Sequence, residues 1–246
     1  MSDRPILFSA PMVRALLAGT KTQTRRVLKP QPARKIIPCH FSDTGWANAT
    51  ADELGCTCEP FPSPRFAVGD RLWVKESWWI ATRYSYGTTP GGDELPPPQL
   101  AYRRGDPVHY AADGNPPNCA NRHYGPDGLR GRMFAAPDPY AVWHRKVSIH
   151  MPRWASRLTL TVTDVRVERL QDISRDDAIA EGLTHKAGVI EPDWWMLPEP
   201  LHQGRWLSPV AAYRFLWNEI NGPGAWDANP WVVAVSFEVR KGKIDA

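Results

Sequence analysis

The residue pattern predicts an α+β fold: a mixed β-barrel with short peripheral helices and long irregular insertions. Three observations carry this. Alternating apolar segments outnumber helical stripes, the helical stripes are short and amphipathic, and the first and last strand-like segments are both strongly apolar, so distant parts of the chain are expected to pair. Stretches rich in Pro, Gly and polar residues interrupt the pattern at about 30–66, 84–140 and 186–206. They read as insertions in a single domain spanning residues 1–246.

Taken in order, Pro5-Ile6-Leu7-Phe8 reads as a short strand. Ser9 caps a helix that starts at Pro11, carries Met12, Ala15 and Leu16 as its apolar stripe, and stops at Gly19. Thr22 to Leu28 is extended. Val68-Gly69-Asp70 is a turn into the strand Arg71 to Glu76, with Leu72 and Val74 on one face and Trp73 and Lys75 on the other. Inside the second insertion a short ordered piece is expected near Val108-His109-Tyr110-Ala111. Leu158, Leu160 and Val162 alternate, then Val165 and Val167 alternate in the opposite phase, which predicts a β-bulge near Thr163-Asp164 or a break between two strands. Ser174-x-x-Asp177 opens a helix stopped by Gly182, Ser208-Pro209 opens another that ends at Asn221-Gly222, and Trp231 to Val239 alternate as a final strand.

Composition bounds the function classes. With 42% hydrophobic and 23% charged residues, a packed core is expected. No apolar run approaches the roughly 20 residues of a membrane span, and the first residues lack a signal-peptide layout, so a cytoplasmic location is expected. The four cysteines are too few for a disulfide framework. Cys56-x-Cys58 with Cys39-His40 upstream has metal-ligand chemistry, but neither spacing is that of a usual zinc knuckle, so Cys39, Cys56 and Cys58 stand only as weak metal candidates. No dinucleotide or Walker motif is present, and no cofactor is expected. The net charge of +4 is mild, but its distribution is segregated. Arg4 to Ser42 holds no acid and eight basic residues, and Pro139 to Thr163 is also acid-free while holding Arg145, Lys146, Arg153 and Arg157 with His144 and His150. Such windows form either a phosphate-attracting face or a plain solvated surface.

The run Gly19-Thr20-Lys21-Thr22-Gln23-Thr24-Arg25-Arg26 reads G-x-K-x-x-T-x-R and resembles the signature of ASCH domains, a branch of the PUA-like superfamily. The opening Ile6-Leu7-Phe8-Ser9, the segment Val68 to Glu76, the run Ser148 to Arg157, and Asn229-Pro230-Trp231 extend the likeness toward a phage- and prophage-encoded subgroup. The two longer Pro-rich insertions fall outside it. The resemblance implies a PUA-like mixed β-barrel with a cleft beside the signature. Small bacterial relatives resemble an amidohydrolase acting on N4-acetylcytidine, with a Lys, a Thr and a Glu proposed as catalytic. Lys21 and Thr24 match the first two positions in the motif, and Glu76 matches the third by its place at the end of the Gly-Asp-led strand.

Amide hydrolysis needs an activated nucleophile, a proton donor for the leaving amine and a hold on the oxyanion. A lysine serves as base if burial or nearby cations lower its pKa, and Arg25 and Arg26 are close in sequence. Glu76 would shuttle the proton or hold the lysine. Arg26 would meet a phosphate or oxyanion. The same residues equally suit a nucleic-acid contact loop without chemistry, or an ion pair of Glu76 with Lys21 or Arg26. Arg145, Lys146 and Arg153 are candidate phosphate contacts. His150 is a candidate proton carrier or base contact, or a structural residue. Trp78, Trp79 and Trp154 are candidates for base stacking, or core. The expected partner is a nucleoside, nucleotide or nucleic acid, RNA ahead of DNA, with no membrane. Three functions stay open at this point: a hydrolase of N4-acylated cytidine, a non-catalytic RNA/DNA-binding module, and a phage accessory protein that binds another protein through the Pro-rich region.

Overall fold

The structure, a computed structural model, describes residues 2–32, 35–38, 46–52, 55–60, 64–83, 104–119, 134–137, 141–188, 192–198 and 204–244. The elements follow in chain order as β1 (Asp3–Leu7), α1 (Ala10–Leu17), β2 (Gln23–Val27), β3 (Lys35–Pro38), β4 (Trp46–Asp52), β5 (Gly55–Pro60), β6 (Arg71–Lys75), β7 (Trp78–Arg83), β8 (Val108–Tyr110), β9 (Phe134–Ala135), β10 (Ala141–Lys146), β11 (Leu158–Arg169), α2 (Arg175–Ala180), β12 (Thr184–Lys186), β13 (Trp194–Met196), α3 (Pro209–Asn221) and β14 (Trp231–Lys241). The architecture is therefore mixed α+β, mostly sheet with few helices. A five-stranded sheet has the order β1-β6-β11-β14-β2, a four-stranded sheet β8-β7-β10-β9, a three-stranded sheet β3-β4-β5, and β12 pairs with β13. No sheet closes into a barrel among the described residues. No helix of the described residues is long and apolar enough to cross a membrane.

The chain divides into two compact units. The first comprises Met1–Asp3, Ala15–Arg71 and Leu160–Arg240. Within it β14 pairs antiparallel with β2, setting Arg25 opposite Ala234, Thr24 opposite Val235 and Gln23 opposite Ser236. α2 starts as its sequence requires: the Ser174 hydroxyl accepts the Asp177 amide. Its buried residue is Ala178, and α3 buries Ala212, Tyr213, Leu216 and Trp217. The turn before β6 is as expected, with Gly69 at φ 86° and the buried Asp70 carboxylate accepting the Ser2 and Ala67 amides.

The second unit comprises Arg4–Arg14, Leu72–Thr159 and Lys241–Ala246. Its centre is the antiparallel pair β7–β10, with Trp79 opposite Arg145 and Trp78 opposite Lys146. Trp78, Ile80, Met151 and Ala155 pack as one core cluster, and Ala81, Ala136, Ala141 and Trp143 as another.

Several expectations need correction. Residues 158–169 form one continuous strand, not two. The phase slip survives as a stretch where Thr163 and Asp164 are exposed between the buried Val162 and Val167. The stretch 30–66 holds the antiparallel meander β3-β4-β5, 84–140 holds β9 besides β8, the ordered piece expected near Val108, and 186–206 holds most of a hairpin. Turn-forming composition masks strands this short, because it is the backbone ladder rather than an apolar stripe that defines them.

Candidate functional site

Local geometry brings Lys21 into the interior of the first unit. Gly19, at φ 76°, ends the helix in a conformation that costs other residues energy. The amides of Thr20 and Lys21 then both donate to the carbonyl of Ala15, at 3.0 and 3.2 Å. Lys21 and Glu181 pair as an isolated antiparallel bridge. Glu181 directly follows α2, and Gly182, at φ 105°, lets the chain pass close: a Cβ there would stand 3.1 Å from Ala15 Cβ and 3.2 Å from Lys21 Cβ. Gly182→Ala is therefore expected to lose about 1–3 kcal/mol of stability, from the left-handed strain and the contact together. Urea denaturation measures it, and a change within about 0.5 kcal/mol would mean the bridge relaxes freely.

The side chains form a buried charged cluster. Lys21 Nζ, 2% exposed, donates to Glu181 Oε2 at 2.7 Å and to the Glu181 carbonyl at 2.9 Å. Arg25 donates to Glu168 from Nε and Nη2, at 3.0 and 2.6 Å, and to Asp177 Oδ2 at 3.1 Å. Its Nη1 lies 3.4 Å from Glu181 Oε1, and the Tyr213 hydroxyl donates to that same oxygen at 3.4 Å. Gln23 Nε2 and Arg166 Nη2 donate to Asp177 Oδ1 at 2.9 and 2.8 Å.

The titration of these groups follows from burial and neighbours. Burial lowers the Lys21 ammonium, Arg26 and Arg25 push it the same way, and Glu181 opposes them. Burial holds the Tyr213 phenol well above its ordinary range, so it stays a hydroxyl donor. Burial also lowers Arg26. Burial works against the charge of Arg25, but Glu181 and Glu168 outweigh it and leave the guanidinium raised. For Asp177, hydrogen bonds from Arg166 and Gln23 outweigh burial and hold the carboxyl at about 2.

Of the expected trio, Lys21 and Thr24 lie in the first unit and Glu76 in the second. Lys21 has a carboxylate, but it is Glu181. Glu76 belongs to the second unit, where Arg157 grips it from Nε and Nη2 at 2.9 and 3.1 Å. The other edge of the same guanidinium holds Asp113 at 2.7 and 3.0 Å, and its carbon stands 4.0 Å from the Tyr110 ring centre. Burial raises the Glu76 carboxyl, with Arg157 opposing. Thr24 is buried on β2. Strand alternation sets it on the face opposite Gln23 and Arg25, hence away from the carboxylates they meet, and its cross-strand neighbour Val235 is fully buried.

The remaining candidates spread over the second unit. Arg145 is exposed and Lys146 half-buried on β10, Arg153 is half-buried, and His150 is exposed. Trp78 is a fully buried core residue, and half-buried Trp154 packs against it edge-to-face with centroids 6.4 Å apart. Trp79 meets Phe134 edge-to-face at 5.6 Å. Cys56 and Cys58 take alternate positions on β5, opposite Ala51 and Ala49, while Cys39 and His40 lie outside the described residues. No cluster of three metal-binding side chains occurs among the described residues.

Sequence reasoning missed Glu181, Tyr213, Asp177 and Glu168. The one available signal for Glu181 was a carboxylate set in the apolar run Ala178-Ile179-Ala180-Glu181-Gly182-Leu183. What the cluster offers chemically is an amine with a depressed pKa, a carboxylate beside it, a protonated phenol and a guanidinium fixed by three carboxylates. No protein-family model, curated protein or solved structure matches the chain.

Proposed function

We propose that this is an ASCH-type protein of PUA-like barrel build that binds a nucleobase beside Lys21 and hydrolyses the acyl group from N4 of an acylated cytidine. The observation that carries the reading is the buried Lys21 amine, depressed in pKa and held 2.7 Å from Glu181. A base of this kind is what the reaction requires, and perturbed buried groups favour functional sites. The same position carries the lysine of the G-x-K-x-x-T-x-R signature. Glu181 takes the carboxylate role in place of Glu76. Because Thr24 faces away from the cluster, water is the nucleophile. Neutral Lys21 accepts a proton as water adds to the acyl carbonyl, the Tyr213 hydroxyl donates to the oxyanion, and the Lys21 ammonium returns the proton to N4 as the C–N bond breaks. The products are cytidine and a carboxylic acid. Arg25 is a positioning residue, tethering Glu181 to Glu168 and Asp177. Lys21 and Glu181 are both nearly enclosed, so substrate entry requires a local opening.

The test is incubation with N4-acetylcytidine and mass-spectrometric detection of cytidine. Turnover is expected to rise with pH as Lys21 loses its proton, levelling below the ordinary lysine value of 10.5. Lys21→Met and Glu181→Gln should each lose about 100-fold or more. Lys21→Arg keeps the charge and serves as the control for folding. Absence of cytidine with the wild-type protein would end the hydrolase reading. A second reading, RNA binding without chemistry, is favoured by the exposed Arg145 beside Lys146 and Arg153 in an acid-free window. It predicts a gel shift whose affinity falls steeply with salt.

A further inference from the structure

The segment joining β10 to β11 has no part in the chemistry proposed for Lys21, and it carries an exposed apolar turn. Lys146 ends β10, and Ser148 to His150 then form a single 3-10 turn. The His150 amide donates to the Val147 carbonyl at 3.1 Å, and the Met151 amide to the Ser148 carbonyl at 3.0 Å. Met151, 1% exposed, anchors the turn in the core cluster of Trp78, Ile80 and Ala155. A second hold comes from Lys75 of β6, whose ammonium donates to the Ile149 carbonyl. The turn is therefore fixed, and it holds Val147 and Ile149 out, 55% and 60% exposed.

Single exposed aliphatic side chains are ordinary, but here they gather. Leu7, 41% exposed, precedes Phe8, whose amide donates to the Lys75 carbonyl at 3.0 Å, so Leu7 stands beside Lys75 where β1 meets β6. Three of the six exposed large hydrophobic side chains among the described residues are thus tied to one lysine and the turn it holds. Cations frame them. Exposed Arg145 and half-buried Lys146 directly precede Val147, and residues 139–163 include no acid. This combination selects among partners. A nucleic acid answers the cations but leaves aliphatic side chains nothing to stack. A second copy of the chain would set the same cations against each other. A folded protein would have to offer an acid-rimmed pocket cut to these tips, whereas lipid adapts to them. An anionic lipid surface answers both features: aliphatic tips enter the boundary between headgroups and acyl chains, and lysine and arginine meet lipid phosphates and carboxylates. No apolar run of the sequence spans a bilayer, but lying on its surface needs none.

We infer that the second unit docks on anionic membranes through this turn. Val147 and Ile149 enter the headgroup boundary with Leu7 at its rim, and Arg145, Lys146 and Lys75 face the lipid phosphates. Docking of this kind is reversible, since a few aliphatic tips and cations fall far short of a spanning helix. It stands independently of any chemistry at Lys21.

The experiment is sedimentation of the full chain with vesicles of phosphatidylcholine, alone or with about 30% phosphatidylserine, at salt near 50 mM and near 300 mM. Binding is expected with the anionic vesicles only, weaker at the higher salt. Val147→Ser with Ile149→Ser leaves the charge unchanged and should lose about tenfold in affinity. Arg145→Ala with Lys146→Ala should lose roughly 30-fold, at about 1 kcal/mol per cation. Ile149→Trp keeps an apolar tip and should bind at least as well as wild type. Circular dichroism confirms that each variant is folded. No sedimentation with anionic vesicles, equal sedimentation with neutral ones, or a Val147→Ser, Ile149→Ser protein that binds like wild type would each overturn the inference. Capture of a labelled single-stranded RNA while anionic vesicles stay unbound would assign Arg145 and Lys146 to the RNA reading and overturn it as well.

Discussion

Glu181→Ala lowers the free energy of unfolding by about 3–5 kcal/mol, because it strands a buried ammonium. Lys21 is 2% exposed, and its other acceptor is a neutral carbonyl. The Coulombic attraction that offsets its desolvation disappears, while the burial and the two nearby guanidinium groups stay. Lys21→Met is expected to cost less. It leaves Glu181 with Arg25 and Tyr213 near Oε1, so the carboxylate keeps partners. The double variant Lys21→Met with Glu181→Leu should recover a large part of the loss, since two buried charges are replaced by apolar volume. Urea denaturation of the four proteins gives the coupling directly. A Glu181→Ala loss below about 1 kcal/mol would show that water already reaches the pair and that Lys21 is not desolvated.

Arg157→Met is expected to cost the second unit about 3 kcal/mol at pH 8, toward the low end for a buried pair because Arg157 is partly solvated. The variant leaves Glu76, 1% exposed, without its bidentate cation and releases Asp113 as well. The pH dependence has a definite sign. Burial raises the Glu76 pKa above its ordinary 4.5, so the native state holds that proton more tightly than the unfolded chain. The contribution of Glu76 is then most favourable below about 4.5 and is lost as pH rises through the raised value. Removing Arg157 enlarges that shift, so the variant is less impaired at pH 4 than at pH 8. Adding Glu76→Gln should flatten the difference. Denaturant midpoints of the three proteins at the two pH values measure it, and an equal loss at both would place the cost in packing on Tyr110 instead.

What could be read in advance depended on which faces were buried. β6 was legible because Leu72 and Val74 are buried while Trp73 and Lys75 are partly exposed, giving a clean two-residue period. β7 and β10 were not. Trp78, Ile80 and Ala81 are all buried, as are Ala141, Val142 and Trp143, so neighbours on opposite faces are both apolar and the period vanishes. The helices declared themselves through Ser174, Pro209 and their terminal glycines. The site was legible only on one side. Lys21 and Arg25 stand within five residues, but their shared partner Glu181 lies 160 positions from Lys21. A carboxylate closing a short helix has no local feature that names its distant cation. The order of segments pointed to Glu76 because it ends the next regular strand, but order does not name the carboxylate that the first unit itself supplies to Lys21.

The pairing of β2 with β14 has a consequence for how the protein is made. Gln23 and Ser236, bonded at 3.1 Å, are 213 positions apart. At roughly 5–20 residues per second, β2 leaves the ribosome at least about ten seconds before its neighbour exists. During that interval its free ladder edge, followed by the apolar Val27 and Leu28, is open to any strand that passes. The basic residues Arg25, Arg26 and Lys29 along that segment give the waiting strand a repulsive charge against copies of itself, a safeguard in synthesis before Arg25 joins the finished cluster.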